Sequence, residues 1–188
     1  MSILQNRPHI FSASFTIKHR IKRLIWCCIY YLCFRFTPIP FHGWRIMILR
    51  LCGAKIGQNC HIYPSAKIWA PWNLRMDNEA CIASEVNCYC QGKISLGKQV
   101  IISQGSFLCT GTHDYLHPQF QLKILPITIE NKVWVGAQAF IGPGVHLAEG
   151  CIIGARAVIF KNTEAWKIYI GNPAICIKSR VIHEPYLN

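Results

Sequence analysis

The sequence predicts an all-β solenoid, in which short strands coil into stacked triangular turns. From Ile129 to Ile159, an aliphatic residue returns at every sixth position. The next residue is usually glycine or alanine, as at Gly136, and the fourth residue on is small or β-branched. A helix repeats about every 3.6 residues and a strand every two, so a sustained period of six fits neither alone. It fits three short strands per turn around a buried aliphatic column, which an ordinary all-β domain does not match so regularly.

The same pattern extends toward the N terminus with two interruptions. Two-residue slips separate the series Ile56, Ile62, Ile68, Leu74 from Met76, Ile82, Cys88, Ile94, and that series from Leu96, Ile102, Leu108. Small residues are expected where the backbone turns each corner. The period fails over 109–126, which is rich in proline, histidine and aromatic residues. We expect a loop ejected from the coil there, and such loops often carry function.

Three segments follow from this pattern. Residues 1–52 form an N-terminal arm and a basic, aromatic helical segment, in which 1–17 carry no periodic signal. Residues 53–174 form the coil, with its ejected loop at 109–126. Residues 175–188 form a short C-terminal tail after a turn predicted at Gly171-Asn172-Pro173.

The positive charge is concentrated in the N-terminal part. The formal net charge is +12, and no acidic residue precedes Asp77, so this part should seek an anionic partner. The uncharged run at 24–34 is too short to span a bilayer, and Thr37-Pro38 predicts the end of the helix. Two interpretations of residues 18–36 stay open: a helix that caps the coil or packs in an oligomer, and an interfacial helix on a membrane. Its aromatic residues are expected all around the helix rather than in one stripe.

The composition also predicts the cellular compartment and argues against a metal site and a nucleic-acid partner. The eleven cysteines are odd in number, and Cys60, Cys88 and Cys151 occupy core columns, which predicts free thiols in a reducing, cytoplasmic setting. No metal is expected, because the cysteine spacing is not that of a zinc site and a set of His113, His117 and His146 lacks geometry imposed by the repeat. The N-terminal cations interleave with aliphatic residues, so no nucleic-acid partner is expected.

His113 is the best candidate for a general base. Histidine titrates near neutral pH, as a base for a hydroxyl group should. A lone histidine is more often structural, but Thr112-His113-Asp114 lies where the coil gives way to the loop. His117 in the same loop is the competing base.

Small residues one turn apart suggest a second binding element. Gly136-Ala137 and Gly154-Ala155 should stack, so that their backbone amides could bind an extended ligand. Equally, these residues could serve only to let the chain turn. Lys161, Lys178 and Arg180 could meet phosphates at the far end of such a ligand.

The chain resembles a known family over roughly residues 20–180. The motifs are Leu108-Cys-Thr-Gly-Thr-His-Asp-Tyr115, Pro126-Ile127, Trp134-Val-Gly-Ala137, Pro143-Gly-Val145 and Gly171-Asn-Pro-Ala174. They are similar to those of the left-handed β-helix acetyltransferases, nearest to the colanic acid biosynthesis branch. The resemblance implies a left-handed coil, a homotrimer with active sites between neighbouring coils, and acetyl-CoA as co-substrate.

The resemblance also assigns roles to residues. His113 would take the proton from a sugar hydroxyl, whose oxygen attacks the thioester directly, and a backbone N–H near Gly136 or Ala137 would stabilise the oxyanion. The positions that would contact acetyl-CoA are Trp134, Gly136, Ala137, Ala155, Lys161 and Lys178. The candidates for acceptor binding are Ser84, Asn87, Tyr89 and Asp114, since the slips leave the register of the acceptor side open.

The expected function is a cytoplasmic O-acetyltransferase for a sugar or glycan of surface polysaccharide, that is exopolysaccharide, capsule or lipopolysaccharide. Peripheral contact of residues 18–36 with the inner face of the membrane stays open beside this expectation, as one of the two interpretations of that segment. Three alternatives stay open: transfer of another acyl group, transfer to an amine, and a non-catalytic, membrane-associated scaffold.

Overall fold

The structure, a computed structural model, describes residues 3–4 and 13–182. Most of the arm expected at 1–17, and residues 183–188 of the tail, lie outside the described residues. Among the described residues, two helices precede the coil. Helix α1 spans Ile17–Ile29 and continues into a π-helical turn at Tyr30–Phe34, and helix α2 spans His42–Leu51.

In the described part of the chain, nineteen strands follow, most of them two or three residues long. They are β1 Lys55–Ile56, β2 His61–Ile62, β3 Lys67–Ile68, β4 Leu74–Met76, β5 Cys81–Ile82, β6 Asn87–Tyr89, β7 Ile94–Leu96, β8 Ile101–Ile102, β9 Phe107–Cys109, β10 Gly111–His113, β11 Leu122–Ile124, β12 Ile127–Ile129, β13 Trp134–Val135, β14 Phe140–Ile141, β15 His146–Leu147, β16 Ile152–Ile153, β17 Val158–Ile159, β18 Lys167–Gly171 and β19 Ala174–Ser179.

The strands form the three faces of a parallel β-solenoid, which confirms the predicted fold class. The first face has the order β1-β4-β7-β12-β15, the second β2-β5-β8-β13-β16-β18-β19, and the third β3-β6-β9-β14-β17. The predicted aliphatic columns are the buried registers of these faces: Ile62 pairs with Ile82, Ile82 with Ile102, and Ile102 with Val135. Stacked side chains of this kind fill the interior from turn to turn.

The two slips have a common structural origin. Ile56 pairs with Met76 and Met76 with Leu96, so these turns take 20 residues, whereas Val135 pairs with Ile153 at a distance of 18. The additional residues lie where the third face passes into the first, as a 3₁₀ turn at Pro71–Asn73 and an irregular segment at 90–92. The ejected loop leaves the next turn at the same place. We call this edge of the triangle the hairpin corner.

Side chains tie the insertions at the hairpin corner to one another. The Asn73 amide donates to the carbonyl oxygens of Cys90 at 3.0 Å and Gln91 at 2.7 Å. The Gly92 N–H donates to the Thr110 hydroxyl at 2.9 Å. The two shorter insertions, in the preceding turns of the coil, therefore pack in sequence against the base of the ejected loop.

The expectation that small residues supply the turning conformation at each corner is wrong. The left-handed positions are occupied mainly by polar residues, among them Asn59 at φ 54°, Gln138 at φ 57° and Arg156 at φ 59°. The glycines after the aliphatic column serve a different purpose, which is close approach between turns. A Cβ on Gly136 would lie 2.7 Å from the Ala155 nitrogen and 2.8 Å from the Ile153 oxygen.

Helix α2 covers the open end of the coil at its first turn. Arg45 is fully buried there, and its guanidinium donates to the carbonyl oxygens of Ile62 at 2.7 Å and Pro38 at 2.8 Å and to the Thr37 hydroxyl at 2.8 Å. A buried charge must be compensated by hydrogen bonds or an ion pair, and neutral oxygens supply this compensation for Arg45.

Helix α1 packs along the third face. The Trp26 indole donates to the Ile68 carbonyl oxygen at 2.7 Å, and Trp26, Tyr30 and Phe34 form one buried stripe. The expectation of aromatic residues all around the helix is wrong in this respect, although Tyr31 is exposed. Within the described residues, neither helix has the length and apolar content needed to cross a membrane.

The C-terminal end departs from the triangular pattern. Strand β18 extends the second face beside β16, and β19 returns antiparallel to β18 through the predicted turn at Gly171-Asn172-Pro173. The segment boundary predicted between residues 174 and 175 falls inside β19.

Candidate active site

His113 lies at the end of the first strand of a β-hairpin. Strands β10 and β11 pair antiparallel, with His113 opposite Leu122, so the segment without periodicity is an ordered ribbon with its tip at 114–121. The His113 Nδ1 lies 2.7 Å from the carbonyl oxygen of Phe120. Since a carbonyl oxygen can only accept, Nδ1 carries the proton and Nε2 of the neutral ring holds the lone pair. The imidazole is exposed in the single chain.

Asp114 orders the tip of the hairpin. Its carboxylate accepts from the Lys123 ammonium at 3.0 Å and from the Leu116 N–H at 3.2 Å, and its own N–H donates to the Gln121 oxygen at 2.8 Å. The hydrogen bond from Lys123 lowers the pKa of Asp114 below its usual value. These contacts hold the tip of the hairpin directly beside His113.

The base of the hairpin rests on Tyr89 and Gln91 of the preceding turn. Gly111 is so close to them that a Cβ there would lie 2.2 Å from Gln91 Oε1 and 3.6 Å from the Tyr89 ring. The Gln91 amide nitrogen donates to the Tyr89 hydroxyl at 2.8 Å. Of the residues predicted to bind the acceptor, Asp114 belongs to the hairpin itself and Tyr89 lies against its base.

The other two acceptor candidates lie elsewhere. Asn87 is half-buried in a cleft of about 170 Å³ between the third face and helix α1, whose lining includes Arg23, Lys67 and Trp69. Ser84 lies at the corner before β6, where its carbonyl oxygen accepts from the Gly105 N–H at 3.0 Å. The structure therefore does not bring Ser84 together with Tyr89.

The outer side of the second face carries a partly exposed row of side chains that contains two of the predicted acetyl-CoA contacts. Trp134 pairs with Ile152, Ile152 with Ile168, and Ile168 with Lys178. Neighbouring strands lie about 4.8 Å apart, so three steps separate Trp134 from Lys178 by about 14 Å. The Trp134 indole donates to the Ser103 hydroxyl at 2.9 Å and is about half exposed.

The next corner exposes backbone amides. The Gly136 N–H donates to the Ile153 oxygen at 2.7 Å and is therefore occupied. The N–H groups of Ala137 and Ala155 have no acceptor among the residues that the structure describes. Of the two expected oxyanion donors, Ala137 is thus the one with an available hydrogen.

The candidate residues divide between two corners of the coil. His113 and Lys161 belong to the hairpin corner, whereas Ala137 and Ala155 lie where the second face passes into the third. Within one chain, His113 and these two backbone amides thus lie at different edges of the triangle.

The two other histidines that were considered as a base or as metal ligands, His117 and His146, have hydrogen-bond partners. His117 Nδ1 accepts from the Gln119 N–H at 3.2 Å, and His146 Nε2 lies 2.8 Å from a Glu130 carboxylate oxygen. Among residues 3–4 and 13–182, no three side chains of histidine, cysteine, aspartate or glutamate come together as metal ligands would.

Comparison with known proteins decides the family. The family described as "Bacterial transferase hexapeptide (six repeats)" matches residues 126–161. A protein of Escherichia coli K12 with the name "Putative colanic acid biosynthesis acetyltransferase WcaF" is 40% identical over 161 residues, which is 86% of this chain and 88% of that protein.

The chain belongs to the hexapeptide-repeat acetyltransferases.

Solved structures confirm the fold of this acetyltransferase. A maltose O-acetyltransferase from Clostridium difficile 630 superposes with a TM-score of 0.81 at 21% identity, over 89% of this chain and 90% of that one. A hexapeptide-repeat acetyltransferase from Vibrio cholerae, in complex with acetyl coenzyme A, gives a TM-score of 0.79 at 19% identity over 89% and 91%.

Several residues around the site escaped the sequence reasoning. Phe120 and Lys123 contact His113 and Asp114 because of the pairing register of the hairpin, and no repeat in the sequence indicates this register. Gln91 is buried beside the hairpin, and Ser103 contacts the Trp134 indole. Only Gln91 gave a signal in the sequence, as a polar residue at one of the two slips.

Proposed function

We propose that this acetyltransferase moves the acetyl group of acetyl-CoA to a sugar hydroxyl during surface polysaccharide biosynthesis. The observation that carries the proposal is the hydrogen bond from His113 Nδ1 to the Phe120 carbonyl oxygen. Because Nδ1 donates in this bond, the lone pair of Nε2 is available to accept a proton. The name of the Escherichia coli relative supports the polysaccharide setting.

The chemistry needs one proton acceptor and one oxyanion donor. His113 Nε2 takes the proton of the acceptor hydroxyl while its oxygen forms a bond to the thioester carbonyl carbon. The carbonyl oxygen becomes an oxyanion, which the Ala137 N–H stabilises. Collapse of this tetrahedral intermediate breaks the carbon–sulfur bond, and the imidazolium returns the proton to the departing CoA thiolate. No acyl-enzyme forms.

The donor groove follows the second face. The Ala137 and Ala155 amides suit the carbonyl and amide groups of an extended pantetheine arm, because small side chains let it approach the backbone. Trp134 would flank that arm, and Lys178 would meet phosphates. Lys161 lies at the hairpin corner and, in this arrangement, would contact the donor from the side of His113.

The division of these residues between two corners supports a site shared between chains. His113 of one chain would face the Ala137 corner of its neighbour, and three copies around a threefold axis would repeat this contact. We therefore propose the homotrimer as the active form.

The acceptor would bind beside the hairpin base. The Tyr89 hydroxyl accepts from Gln91 and so keeps its own hydrogen for a sugar oxygen. Asn87 is the second candidate contact, from the cleft below. Transfer of a different acyl group, or transfer to an amine, would use the same base and groove. Membership in the family favours an enzyme over a scaffold.

The proposal also places the enzyme in the cytoplasm, where acetyl-CoA is made and thiols stay reduced. All eleven cysteines are free. Contact of residues 18–36 with the inner face of the membrane belongs to the same proposal.

Calorimetry with acetyl-CoA tests the donor side, on wild type, His113→Ala and Trp134→Ala. We expect micromolar binding to the first two and at least tenfold weaker binding to Trp134→Ala. Binding of desulfo-CoA by the wild type would show whether the thioester is needed for affinity. A wild-type protein that binds no acetyl-CoA would contradict the proposal.

A further inference from the structure

Helix α1 has a second apolar stripe on the side away from the coil. Its buried stripe faces the third face, whereas the opposite side exposes residues at helical spacing. These are Ile17 at 63%, Ile21 at 53%, Leu24 at 65%, Ile25 at 56%, Tyr31 at 56% and Leu32 at 82% of their accessible surface. A helix that is apolar on two opposite sides can bury one on its own coil and still have the other to offer.

Helix α2 and the connection before it continue this stripe. Phe36, Ile39 and Phe41 in the connection, and Trp44, Met47 and Leu51 on α2, are all exposed. The Trp44 indole donates to the Cys33 carbonyl oxygen at 2.9 Å, which joins the two helices at one end. At the other end Ile25 and Leu51 line one apolar cleft of about 320 Å³. We call the exposed apolar residues of 17–51 the helical surface.

Cations border the helical surface. Lys18, Arg20 and Lys22 are exposed on the flanks of the α1 stripe. No acidic residue occurs before Asp77, and Glu85, whose carboxylate reaches Arg35 at 3.4 Å, is also paired with Lys67 at 3.6 Å. The surface is therefore apolar in the middle, positive at the edge and without a negative group of its own.

This charge pattern discriminates between partners. A second copy of the chain docked on the helical surface by a twofold axis would bring cations against cations, with no carboxylate to offset them. A layer of anionic headgroups over acyl chains complements both parts of the surface.

We propose that the helical surface docks the protein on an anionic phospholipid membrane, with α1 and α2 both in the interface. Ile21, Leu24 and Leu32 enter the acyl boundary, Tyr31 and Trp44 lie at headgroup level, and Lys18 and Arg20 contact phosphates. Burial of Trp26, Tyr30 and Phe34 on the coil keeps the helix in place whether or not a membrane is present.

Vesicle flotation of the full chain tests the proposal. Wild type should float with vesicles of phosphatidylcholine and 30% phosphatidylglycerol, and less with phosphatidylcholine alone. Ile21→Gln/Leu24→Gln should reduce partitioning at least tenfold. Lys18→Gln/Arg20→Gln should reduce it about 30-fold on anionic vesicles and remove the preference for them, at about 1 kcal/mol per cation near an anionic surface.

A matched control comes from the opposite end of the coil. Ile175→Gln/Ile177→Gln removes two exposed isoleucines of β19, at 63% and 46% exposure, and should leave flotation unchanged. Circular dichroism and sedimentation velocity establish that each variant is folded and report its mass.

Two results would overturn the inference. The first is that the wild type does not float with anionic vesicles, or that the Ile21→Gln/Leu24→Gln variant floats as well as the wild type does. The second is that the wild type does not bind vesicles and the Ile21→Gln/Leu24→Gln variant has a different assembly mass. This result would make the helical surface an interface between copies of the chain. Acetyl-CoA binding is measured on the same samples, so failure of the membrane inference can be told apart from failure of the proposed enzymatic function.

Discussion

The His113 imidazole and the Phe120 carbonyl oxygen, 2.7 Å apart, face each other across the hairpin that interrupts the coil. A backbone oxygen fixes both the tautomer and the direction of the ring, and no side-chain carboxylate takes part in this contact. The orientation of the His113 ring therefore depends on the hairpin keeping its register, which the pairs Gly111–Ile124 and Thr112–Lys123 maintain.

Lys123→Gln should lower activity through the position of His113. Loss of the 3.0 Å ion pair with Asp114 loosens the hairpin tip, and we expect kcat to fall several-fold while acetyl-CoA affinity is unchanged. Because Lys123 is about half exposed, solvent screens the ion pair, and the free energy of unfolding should change little. Steady-state kinetics and calorimetry separate the two effects. An unchanged kcat would show that the ion pair does not position the base.

Gly136→Ala should destabilise the coil. The added Cβ would meet backbone atoms of the next turn, at 2.7 Å from the Ala155 nitrogen, and overpacking of this kind costs about 1–3 kcal/mol. Gly43→Ala is the control, because nothing lies within 4 Å of a Cβ there. In helix α2 it should stabilise by about 0.5–1 kcal/mol. Urea unfolding at fixed protein concentration measures both, and equal midpoints for the two variants would contradict the assignment of Gly136 to close packing.

His19 should make the docking of helix α1 sensitive to pH. Its ring stacks on Phe15 and Trp69, and neither ring nitrogen has a hydrogen-bond partner among the described residues. Burial, aided by the charges of Arg23 and Lys22, lowers its pKa. The unfolded chain therefore binds the proton at higher pH than the folded one. The contribution of neutral His19 to the free energy of unfolding is therefore fully present above about pH 6.5, the ordinary histidine pKa. It falls as the pH drops below that value.

His19→Phe isolates this contribution. Its unfolding midpoint minus that of wild type should stay constant above about pH 7 and widen toward pH 5.5, because phenylalanine keeps the stacking but cannot be protonated. A difference that does not change with pH would show that His19 does not titrate with folding.

The cysteines should react in two groups. Burial raises the pKa of the Cys88 thiol well above its usual value and that of Cys90 to about 11, so both stay protonated and inaccessible. Cys27, Cys28, Cys33 and Cys176 are exposed. Brief alkylation at pH 8, followed by peptide mass spectrometry, should modify the exposed thiols and reach Cys88 and Cys90 only after unfolding. Early modification of Cys90 would contradict the packing of the hairpin corner.

The sequence allows the coil to be predicted because each turn repeats the same local requirement. An aliphatic side chain at Val135 must meet Ile102 below and Ile153 above, so the pattern shows directly in the residues. Even the two slips have a physical meaning, since the 3₁₀ turn at Pro71–Asn73 is the first of three insertions at one corner. What the period cannot show is that the insertions stack.

The site is less accessible to such reasoning. His113 can be chosen for its chemistry and its place at the end of the periodic region, but its tautomer depends on the Phe120 carbonyl oxygen across the hairpin. That the Gly136 N–H is occupied while the Ala137 N–H is available depends on hydrogen bonds between turns. The buried stripe of α1 was missed because the exposed Tyr31 obscures the spacing of four in Trp26, Tyr30 and Phe34, which the π-helical turn keeps on one side.

The rate of acetyl transfer in His113→Gln tests the central claim most directly, with His117→Gln as the matched control in the same hairpin. Product formation on a panel of sugar acceptors is followed by mass spectrometry, since eleven cysteines would interfere with thiol capture. Removal of a general base costs about 10²- to 10⁴-fold. We predict a loss of that size in His113→Gln with acetyl-CoA binding intact, and near wild-type rates in His117→Gln. Equal rates in wild type and His113→Gln, on an acceptor that the wild type acetylates, would contradict the assignment of His113 as the base.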